Sequence, residues 1–304
     1  MPSSTPPKSP DAPVLPRLTE ARAPLTFETL AVNEFGESTA ISIPAERALT
    51  VYVDKRELVT LMTLGANPEL LVLGYLRNQR LVKSVQDIDS ITVDWDVGAA
   101  AVKTRHGIAD IEAKTSKRVV TTGCGQGSVF GDLMGDIDSI ALPPASITQA
   151  QLYGIVNAIR LKESTYKSAG SVHACALFCG EELLIFVEDV GRHNAIDTIA
   201  GWMWMQDQMA SADKVFYTTG RLTSEMVIKS AQMGVPIVVS RSGITQMGHQ
   251  LAQRLGLCTI GRATNRHFLC YSGADRLVMQ PQLAGPRLRA AASAGATAMR
   301  GAGP

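Results

Sequence analysis

The sequence of 304 residues lacks several things, and each absence removes a class of function. It has no charge excess: 29 lysines and arginines against 28 aspartates and glutamates leave a formal net charge of +1. No global field draws it to nucleic acid or an anionic membrane, so neither is expected as a partner. Cysteines number five, an odd set without regular spacing. That argues against a secreted disulfide framework and points to a reducing cytoplasm. The N-terminus lacks the basic-then-apolar pattern of a signal peptide. No apolar run reaches the roughly 18 residues of a membrane-spanning helix. What is present is a hydrophobic content of 45%, ample for two domains of ordinary size.

Residues 1–24, rich in Pro, Ser and charge, read as a disordered tail. Residues 25–120 read as an N-terminal antiparallel α+β subdomain. Within it, residues 39–43 and 49–53 are strand-like, and a turn at residues 54–57 makes a hairpin with residues 58–62. Asn67 and Pro68 then start a helix, as cap and first helical residue. Residues 88–95, 99–104 and 108–113 complete the strands. Residues 121–147 form a loop with glycines at 123, 125, 127 and 131 and Cys124 among them. Thr148, with Gln151 three residues on, signals a capping-box helix start. Residues 148–282 read as an α/β domain with a mostly parallel sheet, and residues 283–304 as a second loose tail.

The α/β reading rests on a repeated pattern. A strand-like run at residues 183–187 leads into Glu188-Asp-Val-Gly-Arg-His-Asn-Ala-Ile-Asp197, which then opens a helix. Strand-like residues 215–219 end at Gly220 and Arg221, and residues 235–239 at Ser240, Arg241, Ser242 and Gly243. A last run ends at Gly261 and Arg262. Strands alternating with helices imply a parallel sheet whose ligands bind at the strands' carboxyl ends. Gly and Arg at all four ends point to a phosphate-bearing ligand, held by helix N-termini and guanidinium groups.

Cys124 is the candidate for covalent chemistry, because flanking glycines let backbone N–H groups turn toward a thiolate and lower its pKa. His173 and Cys175 alternate on a strand and could touch one ion. A closed zinc site needs about four ligands, so Cys175 and Cys179 read as core packing. Cys258 and Cys270 lie in apolar, strand-like surroundings and read as inert. His193 and Asp197 stand one helical turn apart, with Arg192 and Asn194 crowding the same turn, which favours ligand binding. Trp202, Met203, Trp204 and Met205 form an apolar cluster, either an interface patch or a buried helix.

Together these blocks resemble the formate dehydrogenase accessory sulfurtransferase family over about residues 40–275. The carriers are Ser171-Val-His-Ala174, the stretch from Glu188 to Asp197, Gly220-Arg-Leu-Thr-Ser-Glu-Met226 and Pro236-Ile-Val-Val-Ser-Arg-Ser242. The resemblance implies a cytidine-deaminase-like fold for the second domain and a homodimer. It implies binding of the molybdenum bis-molybdopterin guanine dinucleotide cofactor as substrate or cargo. Sulfur would pass from a cysteine desulfurase, as persulfide, to that cofactor before its insertion into the formate dehydrogenase catalytic subunit. The family's loop motif is Cys-Gly-x-Cys-Gly. Cys124, Gly125 and Gln126 match it, but Gly127 replaces the second cysteine. The family's cofactor-contacting segment maps onto Arg262, Ala263, Thr264, Asn265, Arg266 and His267, ahead of Tyr271, with residues that differ from the usual aromatic and basic pattern. Gly74-Tyr-Leu76 also matches, whereas Asn78, Gln79 and Arg80 replace a commoner Glu-Gly pair.

Two rival readings stand beside the sulfurtransferase. One is a non-catalytic cofactor chaperone that has lost sulfur transfer with the second cysteine. The other is a nucleotide deaminase, which needs zinc held by His or Cys beside a catalytic Glu.

Overall fold

A computed structural model describes residues 14–108, 137–206 and 213–284. Cys124 and Gly127 lie outside the described residues.

The chain begins with a two-residue strand, β1 (Arg17–Leu18), and a hairpin of β2 (Thr26–Val32) and β3 (Ser38–Pro44). Next come β4 (Arg47–Val53) and β5 (Arg56–Thr63), joined through Asp54 and Lys55, both at positive φ. Helix α1 (Pro68–Asn78) follows, with Asn67 at its cap and Pro68 in its first turn, the place where a missing N–H costs nothing. Then come β6 (Ile88–Asp94) and β7 (Ala99–Thr104). The resulting sheet has the order β1-β6-β7-β4-β5.

Within this sheet the expected antiparallel character holds for the β4–β5 and β6–β7 hairpins, as it does for the separate β2–β3 hairpin. β6 pairs with β1, and β7 with β4, in parallel. The reason is that α1 carries the chain across the sheet between β5 and β6, so the second hairpin docks beside β4 rather than beside β5.

The second half opens with β8 (Ile147–Thr148) and α2 (Gln149–Leu161), whose Thr148 and Gln151 form the expected capping box. It continues through α3 (Thr165–Ala169), β9 (His173–Cys179), β10 (Glu182–Asp189) and α4 (Arg192–Met205). After β11 (Lys214–Thr218) come α5 (Ser224–Gln232), β12 (Ile237–Ser240) and α6 (Gln246–Leu255). The chain closes with β13 (Cys258–Thr264), β14 (His267–Ser272) and β15 (Leu277–Val278), the last pairing with β8.

Six of these strands form one sheet, β10-β9-β11-β12-β13-β14. It is mixed, not mostly parallel. Only the β11–β12 and β12–β13 pairings are parallel. β9 runs against both β10 and β11, and β14 against β13. Two tight turns cause this, one at Gly180 and Glu181, the other at Asn265 and Arg266. Gly180 and Asn265 sit at positive φ, as short hairpin connections require. β13 also runs on past the expected stop at Gly261 and Arg262 to reach the second turn. Even so, β10, β11, β12 and β13 all point the same way, so their carboxyl ends share one edge.

Alternation along the strands builds two cores. Cys175, Leu177, Phe216 and Val238 face α4, α5 and α6. Ala176, Phe178, Tyr217 and Val239 face α2. A third core lies between α1 and the five-stranded sheet. Helix α4 belongs to two of them, because Trp204 and Met205 pack on the N-terminal core while Met203 is buried beneath the six-stranded sheet. The apolar cluster at residues 202–205 is therefore largely covered within one chain.

α1 and α4 cross backbone to backbone. A methyl group at Gly74 would overlap the Asp197 carbonyl, and one at Gly201 the Leu70 carbonyl. Around this crossing several polar groups are paired. Asn78 Nδ2 donates to Asp197 Oδ1 at 2.6 Å, and Lys229 Nζ to Asp197 Oδ2 at 2.9 Å. Arg77 donates to the Ala200 carbonyl at 2.9 Å and stacks over the Trp204 ring at 5.2 Å.

Candidate functional site

The shared edge of the six-stranded sheet carries the site. Its turns are tied to one another before any ligand is considered. Thr218 Oγ1 accepts from the Gly220 N–H at 3.1 Å. Ser240 Oγ donates to the Gly220 carbonyl at 2.7 Å and accepts from the Ser242 N–H at 2.9 Å. The Arg241 N–H reaches the Thr218 carbonyl at 3.0 Å, and the Arg262 N–H the Ser242 carbonyl at 2.7 Å. The hydroxyl of Ser240 thus builds the turn.

On the α2 side of this edge lies an open cleft of about 500 Å³. Phe186, Tyr217, Val156 and Ile159 contribute aromatic and apolar lining, and Arg160, Lys162, Lys167 and Arg241 contribute positive charge. Lys162 Nζ stands 5.8 Å from the centre of the Phe186 ring. Glu188 accepts the Thr165 and Tyr166 N–H groups at 2.6 and 3.1 Å, which fixes α3 at the cleft wall. Thr264 and Asn265 close the far side from the β13–β14 turn. A flat apolar surface flanked by cations suits a planar ring that carries phosphates.

Of the residues singled out in the sequence, Arg241, Ala263, Thr264 and Asn265 line this cleft, with His173. Ala263 is itself buried in the core beneath, while Arg262, Arg266 and His267 are exposed on the turn. Arg192 lies outside the cleft lining and is only 7% exposed. Its Nε has no hydrogen-bond partner among the described residues. A methyl at Gly220 would press on the Arg192 side chain, so glycine gives the guanidinium its room. Burial first, and then the charges of Arg192 and Arg221, push His173 below the usual imidazole value of 6.5. Its ring is neutral near pH 7, beside two cations.

The remaining residues of the 188–197 stretch face the other way. Asn194 Nδ2 donates to the Met62 carbonyl at 2.6 Å and to Asp189 Oδ1 at 2.9 Å. Asp189 Oδ2 accepts the Thr63 hydroxyl at 2.5 Å. His193 Nε2 lies 3.1 Å from Glu225, which also approaches Lys229 at 3.4 Å, so His193 joins the Asp197 network. Burial works to lower Lys229, but Asp197 and Glu225 outweigh it and hold the ammonium charged. Asp189, Asn194 and Asp197 therefore clamp the two halves of the chain together.

Cys175 is fully buried, its thiol donating to Thr218 Oγ1 at 3.3 Å. Burial pushes it up to about 12, which leaves it a poor nucleophile. Among the described residues, no group of three or more His, Cys, Asp or Glu side chains is placed to hold a metal. Nor is any helix there long and apolar enough to cross a membrane. The sequence reading missed Arg160, Lys162 and Lys167. Their signal was three cations within eight residues around a helix end.

Comparison with known proteins assigns the chain to a family. The model of the FdhD/NarQ family matches residues 44–278. A protein of Listeria monocytogenes named sulfur carrier protein FdhD is 30% identical over 255 residues, covering 83% of this chain and 95% of the relative. The Bacillus subtilis protein of the same name is 30% identical over 234 residues, covering 76% and 88%. A crystal structure from Desulfotalea psychrophila, described as that of a candidate formate dehydrogenase accessory protein, superposes with a TM-score of 0.70. That pair is 23% identical and covers 84% of this chain and 100% of the other, so it speaks to the fold. With its turns, cleft and clamp carried on residues inside the matched span, the chain is a member of the FdhD/NarQ family.

Proposed function

We propose that the chain is a cytoplasmic sulfur carrier in formate dehydrogenase maturation, and that its cleft holds the nucleotide tail of the molybdenum bis-molybdopterin guanine dinucleotide cofactor. The observation that carries this reading is the cleft, where an aromatic and apolar lining meets Arg160, Lys162, Lys167 and Arg241. The name borne by the relatives supports the sulfur-carrying part. In this reading the Cys124 thiolate attacks the terminal sulfur of a desulfurase persulfide. The S–S bond breaks, the desulfurase leaves as thiolate, and Cys124 carries the persulfide. Gly127 supplies no second thiol, and Cys175 is locked in the sheet. Onward transfer then proceeds by direct attack of the cofactor or with an external thiol as reductant. The formate dehydrogenase catalytic subunit is the final recipient, and the carrier works as a homodimer.

The test is mass spectrometry after incubation with a cysteine desulfurase and cysteine. A one-sulfur gain should map to the Cys124 peptide and vanish with dithiothreitol. No gain there, with formate dehydrogenase still maturing on a Cys124→Ala protein, would favour a cofactor chaperone without sulfur transfer.

A further inference from the structure

Cys258 and Cys270, inert by their sequence surroundings, are brought together by the fold. Cys258 opens β13, and Cys270 lies on the neighbouring β14 opposite Ile260. Side chains two apart on a strand share a face, so Cys258, Ile260 and Cys270 point to the same side. All three belong to the core beneath α2. Between the Thr259–Ser272 and Ile260–Cys270 pairs the register shifts, and Tyr271 is the extra residue on β14. This irregularity makes the Cys258 and Cys270 side chains diagonal neighbours across the strand pair, Cys258 standing two residues before the partner of Cys270. Cys270 Sγ also lies 3.3 Å from the Ser272 carbonyl.

The two thiols differ in access and in acidity. Cys258 is buried and Cys270 half-buried. Interaction between the two neighbouring thiols draws Cys270 down to about 7 and, with burial, drives Cys258 up. A reachable, acidic thiol beside a buried one gives an attacking and a resolving sulfur.

We propose that Cys258 and Cys270 form a redox-active dithiol, a site of exchange with low-molecular-weight disulfides in which Cys270 attacks and Cys258 resolves. The Cys270 thiolate attacks one sulfur of a disulfide RSSR, whose S–S bond breaks and releases one thiolate. Cys258 then loses its proton, attacks the Cys270 sulfur of the mixed disulfide and expels the second thiolate. Two protein thiols lose two electrons, RSSR gains them, and the two thiol protons end on two RSH. The new bond ties the start of β13 to β14, at the end of the hairpin away from the turn that carries Thr264 and Asn265. This site is independent of the sulfur-carrier reading and of Cys124.

The experiment uses the full chain, reduced, freed of reductant and incubated with glutathione disulfide, followed by alkylation and peptide mapping. The expected result is a linked peptide pair joining Cys258 to Cys270, with the loss of two hydrogens. Cys258→Ser should instead retain glutathione on Cys270, and Cys270→Ser should leave Cys258 a free thiol. Glutathione stranded on Cys270 of the unsubstituted chain, or full alkylation of both thiols there, would overturn the proposal. So would a glutathione adduct on Cys258 in the Cys270→Ser protein. The unsubstituted chain decides the matter even if a variant fails to fold.

Discussion

The crossing of α1 over α4 and the carboxyl edge of the six-stranded sheet share the stretch at residues 188–197, and they treat its polar groups in opposite ways. At the crossing, Asp189, Asn194 and Asp197 each have short hydrogen bonds to partners on the other half of the chain or on α5. There the helices touch through Gly74 and Gly201. At the edge, Arg192 keeps a buried Nε without a partner among the described residues, and four cations surround a cavity. A protein tolerates buried charge readily only when it is compensated. The compensated charges hold the fold, whereas the Arg192 Nε at the edge and the Lys214 Nζ at the other end of β11 have no hydrogen-bond partner among the described residues; of the two, Arg192 stands where an anion from outside is expected. Charge compensation separates the two roles better than residue type does.

That contrast can be broken from the crossing side first. Lys229→Ala should lower unfolding free energy by about 3–5 kcal/mol, since it strands a buried carboxylate. Urea denaturation would check this, and a change below about 1 kcal/mol would show the pair to be dispensable. Gly74→Ala should cost about 3 kcal/mol, the upper end of overpacking, because backbone rather than a mobile side chain must give way. Thermal unfolding of the two proteins side by side would measure it.

Edge variants should show the reverse pattern. Arg241→Ala and Arg192→Ala should weaken binding of GDP, the first, at the cleft wall, by about 1.5–3 kcal/mol for the charge-assisted hydrogen bond lost, the second, outside the lining, by less. Their unfolding midpoints should stay level, or rise for Arg192. Calorimetry that finds GDP affinity unchanged in both would remove the nucleotide from the cleft.

The smallest effect concerns pH. His173 titrates below 6.5 in the unliganded chain, because burial and the neighbouring arginines disfavour its charge. A bound phosphate would favour the imidazolium and raise that value, so GDP affinity should strengthen as pH falls through the region below 6.5. A tenfold gain in affinity would correspond to about 1.4 kcal/mol. Stability of the unliganded chain has its own sign. A histidine depressed in the folded state costs stability as pH drops below the unfolded value, since the unfolded chain binds the proton more readily. His173→Gln should flatten both dependences, which parallel titrations by calorimetry and denaturant would show.

Much of this was legible in the chain. The capping box at Thr148 and Gln151, the Asn67–Pro68 helix start and the Gly–Arg strand ends each rest on local chemistry, and the two helix starts stand where expected. Strand partners were not legible to the same degree. Pairing across β4 and β7 or β9 and β11 depends on where a whole helix lands, which no short window contains. The same holds within the stretch at residues 188–197. Asn194 and Arg192 look alike as polar residues at a helix start, and only the position of Met62, far off in sequence, tells which of them is already engaged.

Because α4 closes the N-terminal core with one side and the sheet's core with the other, neither half of the chain is a unit in its own right. Pulling the two halves apart would leave complementary wounds: Gly74 of one helix without Gly201 of the other, and Asn78 facing the Asp197 it lost. Such halves have reason to find each other again. In this fold the α1–α4 contact is what makes the two halves one body.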